Sequence, residues 1–99
     1  MTGDHHFLIH GVRWLLRFTR LRGNAYGWTY LPDAKAPRVR PKILIDSRLE
    51  GRKRLEIIFH ELIHVSFPTA SEDHVTEAAR DITRVVWSLG YRLDETEAP

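Results

Sequence analysis

Two histidines and a glutamate stand in the order His60-Glu61-Leu62-Ile63-His64. On a helix, residues four apart are separated by about 40° and one turn in height, so both imidazoles reach a single cation. On a strand they would lie too far apart. Glu61 falls about 60° further round than His64, beside the ion instead of on it, where a carboxylate can act as general base on a metal-activated water. Hydrolytic zinc needs a third protein ligand and one open position. The chain contains no cysteine, so thiol nucleophiles, disulfides and cysteine-ligated zinc are excluded, and any metal is held by histidine and carboxylate. His74, Glu77 and Asp81 are the candidates for the third ligand, because spacings of three and four keep them on a common face.

The elements that must position these groups follow from the periodicity. Val12 to Thr19 alternates apolar residues with Arg13 and Arg17, the pattern of a strand with one buried face. Tyr26, Trp28 and Tyr30 repeat the two-residue spacing, and the two runs are expected to pair antiparallel. Pro32 to Pro41 reads as a loop, and Lys42 to Asp46 as a short, well-buried third strand. Ser47 and Glu50 have the spacing of a capping box ahead of a helix that carries Leu55, Ile58, Phe59, Leu62 and Val65 and ends before Pro68. Thr69 and Glu72 form a second such pair, opening a helix in which Val75, Ala78, Ala79, Ile82, Val85, Val86 and Leu89 recur at helical spacing. Gly90 is a natural C-terminal cap. The expected fold class is α+β: a short antiparallel or mixed three-stranded sheet followed by two packed helices. At 99 residues the chain has one core to build, so residues 1–99 are read as a single domain, with 1–11 and 94–99 frayed.

With these elements in place, His60-Glu61-Leu62-Ile63-His64 followed by Glu77-Ala78-Ala79-Arg80-Asp81 resembles the gluzincin branch of zinc metallopeptidases, over roughly residues 42–90. The size and element order also resemble minimal H-E-x-x-H proteins of phages and bacteria. The resemblance implies a zincin-like fold, Zn²⁺ held by His60, His64 and Glu77, Glu61 as general base, and Asp81 orienting a ligand histidine. It further implies hydrolysis of peptide bonds in a protein or peptide substrate, with the strand Ile43 to Ile45 offering an edge for extended substrate. Tyr30 and Tyr91 are the phenols considered as donors to the developing oxyanion. The gap between His64 and Glu77 is shorter than that of thermolysin.

Charge is unevenly spread. Residues 1–60 carry twelve Lys and Arg against five Asp and Glu, and residues 61–99 three against eight. Arg13, Arg17, Arg20 and Arg22, with Arg38, Arg40 and Lys42, suggest a basic face with interleaved aromatics suited to phosphate backbones. This motivates an alternative: a non-catalytic zincin-fold module that holds nucleic acid or a partner protein. A third reading is a structural zinc protein in which the ion only joins two helices. His5, His6 and His10 resemble a metal cluster but fall in a polar N-terminal segment. No apolar run is long enough to span a membrane, and none resembles a secretion signal, so a cytoplasmic location is expected.

Overall fold

The computed structural model describes residues 3–32, 35, 38 and 40–94. The element order is β1 (Asp4–Ile9), β2 (Val12–Thr19), β3 (Gly27–Tyr30), β4 (Lys42–Asp46), α1 (Gly51–Ser66) and α2 (Glu72–Ser88). This is the expected α+β class, with four strands where the sequence suggested three.

The strands form one mixed sheet in the order β1-β2-β4-β3. β4 runs parallel to β2 and antiparallel to β3, so it is inserted between the two strands expected to pair with each other. Burial explains the insertion. Ile43 and Ile45 are 1% and 0% exposed, and an apolar run this completely covered belongs in the middle of a sheet. β3, with Gly27 and Thr29 on its helix-facing side, has too little apolar bulk to serve as a central strand and forms an edge.

Residues 4–9, read from sequence as part of a frayed segment, form β1. His10 and Gly11 have φ of 52° and 73°, and Ile9 pairs with Val12. Two positive-φ residues between paired strands make the tight turn whose twist matches a hairpin. His10 Nε2 also lies 3.0 Å from the carbonyl oxygen of Ser66, which ties the hairpin to the end of α1. Residues 95–99, the remainder of the tail expected to fray, lie outside the described residues.

Trp14, Leu16, Ile43, Ile45 and Val65 form the core between sheet and α1, with Ile57, Ile58 and Leu62 packed against it. The orientation of α1 is fixed at its entry. Arg48 donates from Nε and Nη2 to the buried carboxylate of Asp46 at 3.0 and 2.6 Å, and from Nη2 to the carbonyl of Leu21 at 3.1 Å. The Arg48 guanidinium holds the Asp46 carboxyl below its ordinary value. The expected Ser47–Glu50 capping box is absent: Glu50 is itself the N-cap and makes no side-chain cap bond, while Ser47 donates its backbone N–H to Thr19.

α1 ends at the Phe67 cap, whose N–H bonds the Ile63 carbonyl, and the chain turns back through Pro68. The second helix starts two residues later than the Thr69 cap suggested. Ser71 is the N-cap, its side chain accepting from the His74 backbone N–H at 3.2 Å. α2 packs along α1 with Val75, Ala79 and Thr83 buried.

Candidate metal centre

The helical spacing does what the motif requires. His60 Nε2 and His64 Nε2 lie 3.2 Å apart, the imidazole side chains 19% and 27% exposed. Two nitrogens bound to one tetrahedral zinc at about 2.0–2.1 Å are separated by roughly 3.3 Å, so the pair already has the required spread. The third group is Glu72. Its Oε1 is 2.9 Å from His60 Nε2 and its Oε2 is 2.9 Å from His64 Nε2. His60, His64 and Glu72 are the one group among the described residues whose ligand atoms converge closely enough to hold an ion. Two imidazoles and a carboxylate are the donor set of a catalytic zinc site that keeps a position open.

The cap shift explains how Glu72 reaches this position. In a Thr69 capping box its carboxylate would be turned back on the helix start. With Ser71 as the cap, Glu72 is the first helical residue and its side chain is free to cross to α1. Sequence reasoning missed it because it had been given a local task. The signal present was an acidic residue eight positions after His64 and four after the helix-terminating Pro68.

Glu77 and Asp81 are not brought to the imidazoles. They are exposed and line a shallow depression with Asp73, Thr76, Arg80 and Arg84, where Asp81 pairs with Arg84 at 3.1 Å. His74 is exposed and takes no part in the convergent group. Glu77, the third ligand that the resemblance implies, lies about one and a half turns further along the helix than Glu72.

Glu61 faces the sheet. It is 7% exposed, and its Oε1 accepts a hydrogen bond of 2.7 Å from Thr29 Oγ1 on β3. Oε2 has no hydrogen-bond partner among the described residues. Gly27 makes room for this carboxylate: a Cβ there would stand 3.0 Å from Glu61 Cγ and from Ile57 Cγ2. Neither Thr29 nor Gly27 could be found from the motif alone, since nothing in the sequence said which strand lies under α1.

These groups open on a cleft of about 380 Å³ lined by Gly27, Thr29, His60, Glu61, His64 and Glu72, with Trp28, Leu31 and Pro68 at its margins. A larger cleft of about 590 Å³ lies toward the start of α1 and contains Trp87, Tyr91 and Arg92, but no metal-ligating groups among the described residues converge in it. Tyr91 belongs to that other cleft. Tyr30 shares the helix-free face of the sheet with Lys42, whose Nζ sits 5.0 Å from its ring centre, so neither phenol lines the cleft beside Glu61. The edge strand there is β3. Ile43 to Ile45, expected as an edge, are internal.

No family model matches the sequence, and no curated protein or solved structure is significantly similar to it. No described helix is long and apolar enough to cross a membrane.

Proposed function

We propose that the chain is a zinc-dependent peptidase in which His60, His64 and Glu72 hold the ion and Glu61 is the general base. One observation carries this reading: two imidazole nitrogens and a carboxylate converge from two helices beside a buried glutamate at the edge of a sheet. A divalent cation bound there supplies a Lewis acid and a water of lowered pKa.

The chain's own residues supply the rest. Thr29 holds Oε1 of Glu61, which leaves Oε2 to take a proton from the attacking water. As the water oxygen adds to the scissile carbonyl carbon and the C–N bond breaks, Glu61 returns that proton to the leaving nitrogen. Substrate is positioned by β3. Tyr26 accepts a hydrogen bond from the Asp46 N–H at 2.8 Å, so by the alternation of an antiparallel ladder the backbone groups of Gly27 and Thr29 face outward. An extended peptide adding there as a fifth strand brings its backbone to the cleft.

The test is hydrolysis of an unfolded protein by the zinc-loaded chain and by Glu61→Gln. The expected result is a loss of about 10³-fold in rate with zinc stoichiometry unchanged. Loss of fold on chelation with no hydrolysis in either form would instead identify the ion as a structural staple.

A further inference from the structure

The sheet has a second face that no described helix covers. The registers place Leu8, His6 and Asp4 of β1, Arg13, Leu15 and Arg17 of β2, Lys42 and Leu44 of β4, and Trp28 and Tyr30 of β3 on it. Its two ends differ. At the β3 edge Trp28 is 45% exposed, with its ring 6.2 Å from that of Tyr30 at an interplanar angle of 78°. Toward β1, Arg13 and Arg40 meet at a depression of about 290 Å³ that also includes His6, Leu15 and Pro41. Arg17 is neutralised by Asp4 at 2.8 Å. Arg13 and Arg40 have no ion-pair partner among the described residues, and Lys42 lies between them and the aromatics.

We infer that this face binds single-stranded nucleic acid. Its complementarity is specific in kind. Guanidiniums without an ion-pair partner among the described residues suit phosphates, an exposed indole beside a phenol suits an unstacked base, and the two lie on one face of the sheet. Tyr30, Lys42, Leu15 and His6 follow one another across four neighbouring strands, three spacings of about 4.8 Å or roughly 14 Å in all, room for two or three nucleotides. A duplex keeps its bases stacked and has nothing to offer Trp28. An acidic lipid surface does not need a ring pair. The metal centre lies on the other side of the sheet, and of the residues invoked here only Trp28, on the edge strand, also borders its cleft.

The experiment is fluorescence anisotropy of a labelled oligothymidylate of about 12 nucleotides titrated with the intact chain. A duplex of equal length and phosphatidylserine vesicles serve as competitors. The single strand is expected to bind with affinity falling steeply as salt rises, a log–log slope of about −0.7 per phosphate contacted. Arg13→Glu combined with Arg40→Glu, both at exposed positions, should weaken it by about 100-fold. Trp28→Thr, which keeps a strand-forming residue, should weaken it by about tenfold with the salt slope unchanged. Duplex or vesicles displacing the oligonucleotide at equal or lower concentration would overturn the inference. So would unaltered binding by the correctly folded double charge reversal.

Discussion

Glu72 and the pair Glu77–Asp81 belong to the same helix and are about equally open to solvent, with side chains 66% exposed at Glu72 and 57% at Asp81. They differ in what the rest of the molecule presents to them. Glu72 stands 2.9 Å from each of two imidazoles on α1. Asp81 stands 3.1 Å from an arginine on its own helix. Burial does not separate the convergent Glu72 from an ordinary surface charge here, and neither does spacing along one element. Convergence between elements does, because a cation collects donors from several directions whereas an i,i+3 pair satisfies itself locally.

The comparison breaks or sharpens most readily at the metal. Glu72→Ala should lower zinc affinity by about 100-fold or more, measured by competition with a chromogenic chelator, while Glu77→Ala and Asp81→Ala leave it unchanged. A loss confined to Glu77→Ala would return the third ligand to the helix interior and with it the gluzincin arrangement. A smaller effect is expected one shell out. Thr29→Val removes the hydrogen bond that Oε1 of Glu61 accepts and should cost about tenfold in kcat with zinc content and KM little altered. A change in zinc content would mean that Thr29 shapes the ligands and not the base.

Gly27→Ala should act mainly through stability. The new methyl meets Glu61 Cγ and Ile57 Cγ2 at 3.0 Å, and crowding of this kind costs about 1–2 kcal/mol, seen in a denaturant melt. The smallest effect concerns the joint that aims α1. Asp46 is held below its ordinary value of 3.8 by Arg48. Its contribution to stability is therefore fully present above that ordinary value and is lost as pH falls through the lowered one. Arg48→Ala should reduce stability at neutral pH and flatten this acid-dependent loss, as read from thermal unfolding across the acid range.

Much of the scaffold was legible in the sequence. The two helices, the α+β class and the buried Lys42–Asp46 strand follow from apolar periodicity, a local property. His60, Glu61 and His64 were legible for the same reason, since their geometry is set within a single turn of one helix. What periodicity does not encode is adjacency. The Val12–Thr19 and Gly27–Tyr30 strands look like a hairpin because they are neighbours in sequence, yet the greater burial of Ile43 and Ile45 draws β4 between them. Thr29 was hidden because its partner lies on the far side of that rearrangement. Glu72 was hidden because one side chain fits two local motifs, and Ser71 took the capping role. The β1 strand was missed because a polar, half-exposed edge lacks the alternation that marks a core-facing strand; His10-Gly11 was the turn signal that could have revealed it.

The shortness of β3 has a consequence for change by insertion and deletion. Its four residues carry two inventories on one thread: Gly27 and Thr29 attend the glutamate, and Trp28 and Tyr30 look the opposite way. Sliding that thread by one position exchanges the inventories, setting an indole where the notch for the carboxylate had been and a glycine where a ring had stood. A single residue added within 27–30 therefore disables both surfaces together.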